Sequence, residues 1–269
     1  MRWPIVLIHG YPFDHSMWDS VAEELSGKAR VIVPDLPGFG GEPVLKSAAS
    51  MDRYADFIGE LLDKENLSAA VVVGMSMGGY VALSFAENYP DRVVGLGLVA
   101  TQAAADTEDA RKARAAMIEK VRKEGPQAAA EAISPKLFAA KNAQNELLLK
   151  FPRDGAAKAG VEGICWALQA MAGRPDRTFV LRNLECPSAV VHGVEDKIIP
   201  RDRAQQMARE TPGCEYIEIE GAGHGLPIEE PKIVADNLFS LLRRAESYLP
   251  HKNPRNRPPV TFAPSEKGL

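Results

Sequence analysis

Cysteine is scarce: Cys165, Cys186 and Cys214 are odd in number and widely scattered along 269 residues. That pattern excludes a disulfide framework and matches no zinc-ligand spacing, so the expectation is three reduced, small apolar side chains in a cytoplasmic protein. An excess of one charge is also missing. With 32 Lys+Arg against 36 Asp+Glu the formal net charge is −4, which leaves no basic footprint for nucleic acid. Long hydrophobic runs are absent: no stretch approaches the ~20 apolar residues that span a bilayer. The first apolar run, at 5–8, is too short for a secretory signal and has no small-residue cleavage site after it. No membrane partner is expected. No cluster of His, Cys, Asp or Glu has metal-ligand spacing. Gly38-Phe39-Gly40-Gly41 lacks both the spacing of a dinucleotide fingerprint and the lysine of a phosphate loop. Neither a metal nor a cofactor is therefore expected. Internal repeats and long low-complexity segments are missing as well, and nothing in the chain signals an oligomeric state.

What is present is the composition of a globular protein, 45% hydrophobic and 25% charged. Short, mostly apolar runs at 5–8, 30–33, 69–73, 93–99, 188–192 and 215–219 alternate with amphipathic segments at 17–25, 51–65, 79–88, 201–209 and 231–246. Fully apolar strands separated by helices predict an α/β fold, with a mostly parallel sheet covered on both faces. The rhythm breaks after Ala100. Residues 101–184 are rich in Ala, Lys and Glu at helical spacing (114–123, 128–133, 163–171) and hold no convincing strand. The predicted division is a core of 1–100 and 185–249, a helical cap of 101–184, and a proline-rich C-terminal tail of 250–269. Few residues precede the first strand, which leaves no room for an antiparallel hairpin ahead of it.

Gly74-Met75-Ser76-Met77-Gly78 stands directly between an apolar strand and a helical pattern. A G-x-S-x-G segment in that context is a nucleophile elbow. The turn is so sharp that the serine is strained, and glycines two residues to either side avoid collision. By itself the pentapeptide also reads as a glycine-rich strand-to-helix turn. A serine hydroxyl is a weak nucleophile and needs a base, itself oriented by an acid. Of the five histidines, His224 in Gly221-Ala222-Gly223-His224-Gly225 follows the last predicted strand, at the sheet edge where Ser76 lies. His9 and His192 sit within or at the end of apolar strands and read as structural; His15 precedes a helix and reads as a capping or packing residue. Asp196, after the penultimate strand, is the candidate acid. Its alternative is a turn or capping aspartate, and Glu195 is its neighbouring rival. The order Ser76, Asp196, His224 is that of α/β-hydrolases, unlike the chymotrypsin or subtilisin order. An oxyanion needs two preorganised N–H donors. Met77, after the nucleophile, supplies one, and Tyr11, in the loop after the first strand, supplies the other because Pro12 has none.

His9-Gly10-Tyr11-Pro12, Pro34-Asp35-Leu36-Pro37-Gly38-Phe39-Gly40, Gly74-Met75-Ser76-Met77-Gly78-Gly79 and Gly221-Ala222-Gly223-His224 resemble the α/β-hydrolase superfamily over about residues 5–246. The branch they look most like holds small bacterial carboxylesterases, 3-oxoadipate enol-lactonases and cofactor-free haloperoxidase- or perhydrolase-like esterases. The resemblance implies a Ser76–His224–Asp196 triad beneath a helical cap. It departs at the missing first strands, at Gly41 where relatives often carry serine, and in the tail. Phe13, Trp166, Met171, Leu137 and Phe138 are candidates for an apolar substrate lining, with core packing as the alternative; Arg153 or Arg174 turned inward would instead hold a carboxylate. The expected function is hydrolysis of small carboxylic esters through an acyl-enzyme. Lactonase or perhydrolase chemistry is the alternative within the fold, and a non-catalytic binding protein the alternative outside it.

Overall fold

The computed structural model describes residues 2–248; the expected tail at 250–269, with His251, lies outside the described residues. The strands are β1 (Ile5–Ile8), β2 (Val31–Ile32), β3 (Ala70–Met75), β4 (Val93–Val99), β5 (Ser188–Gly193) and β6 (Glu215–Ile219). Helices α1 (Asp19–Leu25), α2 (Met51–Lys64) and α3 (Met77–Asn88) connect the first four strands. Helices α4 (Glu108–Glu124), α5 (Gln127–Leu137), α6 (Glu146–Gly173) and α7 (Thr178–Arg182) lie between β4 and β5. Helices α8 (Arg201–Glu210), α9 (Leu226–Glu229) and α10 (Pro231–Ser247) complete the described chain.

The six strands form one sheet in the order β2-β1-β3-β4-β5-β6, every neighbouring pair parallel. Runs such as Ile-Val-Leu-Ile in β1 and Ala-Val-Val-Val-Gly-Met in β3 are buried at every position. Such runs are stable only where helices cover both sheet faces. The two-residue period sorts the side chains. Val6, Ile8, Ala70 and Val72 pack with α2, α3 and α8, while Ile5, Leu7, Val71, Val73 and Met75 pack with α1 and α10. Each covering helix presents a stripe to its face, as α10 does with Val234, Ala235, Leu238, Leu241, Leu242 and Ala245.

Two predicted boundaries shift for physical reasons. The strand expected at 30–33 pairs only at Val31 and Ile32; it lies at the sheet edge, half-buried, and Pro34 has no N–H with which to extend it. The helix expected from 79 starts at Met77, because Ser76 alone makes the turn and both following glycines are helical. Between β4 and β5 the described chain is helical without a strand, and α6 is interrupted at Gly160, whose φ is +64° and ψ −174°. These inserted helices close over the carboxyl edge of the sheet. The Trp166 indole N–H donates to Ser47 O at 3.3 Å, Gly225 N–H donates to Leu137 O at 2.7 Å, and Lys158 Nζ bonds the buried Asp14 carboxylate at 2.5 Å.

Candidate active site

Ser76 stands between β3 and α3 with φ +51° and ψ −112°, a left-handed conformation that costs a non-glycine residue on the order of 1–3 kcal/mol. The flanking glycines make it possible. A Cβ on Gly74 would lie 2.0 Å from Gly78 O, and one on Gly78 would lie 2.3 Å from Ile8 O. Hydrogen bonds hold the turn from both sides: Ser76 N–H donates to Val99 O at 2.9 Å, and the Thr101 hydroxyl donates to Ser76 O at 2.8 Å. Thr101 carried no motif in the sequence; the residue after β4 reaches the elbow only because β3 and β4 are neighbours.

The three expected side chains meet. Ser76 Oγ lies 2.9 Å from His224 Nε2, and His224 Nδ1 lies 2.9 Å from Asp196 Oδ2. A carboxylate only accepts, so the imidazole carries its proton on Nδ1 and leaves Nε2 to accept from the serine O–H. Asp196 Oδ1 in turn accepts from the N–H groups of Ile198 at 2.8 Å and Ile199 at 2.9 Å. Burial works to raise the Asp196 carboxyl, but attraction to His224, its hydrogen bond and the two backbone N–H groups outweigh it and hold the group below the ordinary carboxylate range. The side chains of Asp196 and His224 are wholly buried, whereas Ser76 retains 9% exposure, so the serine is the member open to a ligand. Glu195 is turned elsewhere: its Oε2 accepts from Ala140 N–H at 2.8 Å.

The two expected backbone donors are free. Met77 is the first residue of α3, and neither its N–H nor that of Tyr11 has a hydrogen-bond partner among the described residues. The loop after β1 lies against the serine, since a Cβ on Gly10 would approach Ser76 Cβ to 3.3 Å. His9 anchors that loop: its Nδ1–H donates to Gly10 O at 2.9 Å, and its Nε2 accepts from Leu36 N–H at 3.0 Å. Burial lowers the His9 pKa below the ordinary histidine value, as the neutral ring's two roles require. His192 is also buried and lowered, first by burial; its Nδ1 has no hydrogen-bond partner among the described residues and sits 3.9 Å from Asp196 Oδ2.

The expected lining residues separate into two groups. Trp166 and Met171 belong to the same apolar cluster as Tyr11, whose buried hydroxyl has no hydrogen-bond partner among the described residues; the Trp166 ring tilts against Tyr54 at 4.5 Å. Phe13, Leu137 and Phe138 belong to the other apolar cluster, and Leu137 and Phe138 are wholly buried against the His224 loop. Neither arginine weighed as a carboxylate clamp is free to act as one. Arg153 pairs outward with Glu146 at 2.7 Å. Arg174 is buried over the Tyr80 ring at 3.8 Å and donates to Asp106 at 2.6 Å. The structure also brings together Asp14, His15 and Asp35, with ligand atoms within 4.8 Å of one another, a grouping invisible in the spacing because Asp35 arrives from a different loop. Both carboxylates already have partners: Lys158 bonds Asp14, and His15 bonds Asp35 at 2.8 Å.

A parallel sheet with helices on both faces, and a Ser–His–Asp hydrogen-bond chain at its carboxyl edge, define the class of hydrolase-fold enzymes. The chain belongs to the alpha/beta hydrolase fold family, which matches residues 4–231. It is 38% identical to a thermophilic esterase from Thermogutta terrifontis, described with malate bound; the likeness covers 91% of each chain at a TM-score of 0.87. An enol-lactonase from Burkholderia xenovorans superposes over 90% of this chain and 92% of its own at a TM-score of 0.82, with 24% identity. Among sequence relatives, a pimeloyl-[acyl-carrier protein] methyl ester esterase of Chromobacterium violaceum is 28% identical over 82% of this chain and 86% of its own. A dihydrolipoyllysine-residue acetyltransferase component of an acetoin cleaving system from Pseudomonas putida is 29% identical over 90% of this chain, which spans 64% of that protein's length. Among the described residues no helix is long and apolar enough to cross a membrane.

Proposed function

We propose that the protein is a serine carboxylesterase acting on small, uncharged carboxylic esters through an acyl-enzyme. The observation that carries this reading is the unbroken chain Asp196–His224–Ser76, with both links at 2.9 Å. His224 Nε2 takes the Ser76 proton as Oγ attacks the ester carbonyl, and the imidazolium that forms lies against an ionised Asp196. The carbonyl oxygen becomes an oxyanion between the free N–H groups of Tyr11 and Met77, the second at a helix N-terminus. His224 then protonates the departing alkoxide. It afterwards activates water to cleave the acyl-enzyme and returns the proton to Ser76. Helices α4–α7 serve as a cap, with Trp166 and Met171 as its apolar roof. The 38% identical esterase supports the esterase reading; the enol-lactonase, at 24% identity, is evidence of fold alone. Because Arg153 and Arg174 are engaged elsewhere, a neutral acyl group suits the site better than a carboxylate-bearing one.

The test is covalent labelling with an organophosphonate, combined with a panel of p-nitrophenyl esters of increasing acyl length run beside a carboxylate-bearing enol-lactone. The adduct is expected on Ser76, and Ser76→Ala is expected to fold while losing on the order of 10⁴-fold or more in kcat. Labelling of an active protein anywhere else removes the nucleophile assignment. A higher kcat/KM for the enol-lactone than for a neutral butyrate ester moves the substrate class to lactones.

A further inference from the structure

His224 is flanked by glycines whose missing side chains are occupied by the cap. A Cβ on Gly223 would lie 2.6 Å from Ala139 N, and one on Gly225 would lie 2.5 Å from the Phe138 ring. The segment that fills this space, 137–142, is bonded to the core at four points. Gly225 N–H donates to Leu137 O at 2.7 Å, and Ala140 N–H donates to Glu195, the neighbour of Asp196, at 2.8 Å. Lys141 pairs with Glu230 at 2.6 Å. The fourth point is Glu229, whose Oε2 accepts from Gly223 N–H at 2.7 Å while its Oε1 accepts from Ala139 N–H at 2.8 Å and from Asn142 Nδ2 at 3.0 Å. One carboxylate thus joins the residue before His224 to the cap, using both oxygens.

We infer that Glu229 is a positioning residue that clamps the cap segment 137–142 onto the His224 loop and so holds the imidazole in register between Ser76 and Asp196. This rests on the triad reading above, and it makes the inserted helices a strut for the base as well as a roof for the substrate. The His224 loop has no regular secondary structure of its own, and its glycines give it freedom that only the clamp and its neighbours remove. Loss of the clamp acts on the transition state, where the imidazole must meet Oγ and the leaving group in turn, and it leaves the apolar contacts to the ester in place.

The experiment compares wild type with Glu229→Ala, Glu229→Gln and Lys141→Ala as full chains. Phosphonate-titrated sites normalise kcat to the folded, competent fraction. The low-field proton resonance of His224 Nδ1–H, assigned by its absence in His224→Ala, serves as a readout independent of turnover. Glu229→Ala is expected to lower kcat by on the order of 10²-fold with KM nearly unchanged, and to broaden or abolish the resonance. Glu229→Gln keeps one acceptor but turns an NH₂ toward the other N–H, so its expected loss is about tenfold. Lys141→Ala removes the weakest of the four points, an exposed ion pair, and is expected to lose no more than about twofold in kcat with the resonance retained. A sharp, unshifted resonance together with wild-type kcat per titrated site in both Glu229 variants overturns the inference. Loss of the resonance in Glu229→Ala, in a protein whose wild type cleaves no ester, upholds the clamp and overturns the esterase reading instead.

Discussion

Asp196 and Glu195 are adjacent carboxylates with different partners, and the backbone decides between them. After β5 the chain turns so that Asp196 Oδ1 receives the N–H groups of Ile198 and Ile199 and its Oδ2 receives His224. Glu195 faces Ala140. Removing Asp196 leaves the buried His224 Nδ1–H without an acceptor and the imidazolium of the transition state without its counter-charge. Asp196→Ala is therefore expected to lose on the order of 10³–10⁴-fold in kcat, less than His224→Ala or Ser76→Ala, which remove the proton carrier or the nucleophile itself. Glu195→Ala breaks one exposed bond to the inserted segment and is expected to keep most of its activity. Steady-state kinetics on the four variants decides the assignment: an inactive Glu195→Ala beside an unimpaired Asp196→Ala transfers the acid role to Glu195.

The strand–elbow–helix unit β3–α3 carries the tightest steric constraint in the site. Gly74 lies in β3 and Gly78 in the first turn of α3, and the sharp reversal at Ser76 brings their backbones into contact. A methyl group at Gly74 would meet Gly78 O at 2.0 Å, and neither partner is a flexible side-chain tip that can yield. Gly74→Ala is expected to lose about 3 kcal/mol of stability or more, or to fail to fold, as overpacking against backbone does. Gly173→Ala, at the end of α6 where a Cβ meets nothing within 4 Å, is the matched control and is expected to be neutral or slightly stabilising. Urea midpoints for the two variants measure the difference; equal midpoints remove the steric account of the elbow.

At the scale of the whole molecule, the core buries His9 and His192 in their neutral form. Burial lowers both His9 and His192 below the ordinary value of 6.5. The unfolded chain binds protons at these residues near pH 6.5 while the native chain does not, so stability rises with pH across that window and is lost as pH falls below about 6.5. Each histidine contributes a slope of at most about 1.4 kcal/mol per pH unit until its own native pKa is reached. The lowered carboxyls of Asp14, Asp106 and Asp196 act in a separate window: their stabilisation is complete above about pH 5 and is lost further into acid. Urea unfolding at pH 8, 7, 6 and 5 is expected to show a midpoint that is steady above neutrality and falls through pH 6 and 5. A flat profile over that range contradicts the neutral assignment of both rings.

The core strands, the helical nature of 101–184 and the placing of Ser76 and His224 on loops at one sheet edge are legible in the chain because each rests on local information. Apolar runs of strand length, helical spacing, and glycines at a turn are properties of a few consecutive residues. Their common location followed from one rule, that parallel strands bring their carboxyl ends to one edge. Sequence alone left two matters open: which of Glu195 and Asp196 bonds His224, and what Leu137 and Phe138 touch. Only the tertiary structure decided these, together with three features the sequence did not announce: the Thr101 contact to the elbow, the His9 bridge to Leu36, and the Glu229 clamp. The physical reason is range. Each of these depends on a hydrogen bond or a packing contact between segments tens of residues apart, set by loop geometry and by how the inserted helices settle on the sheet, and no periodicity or spacing in the chain records it.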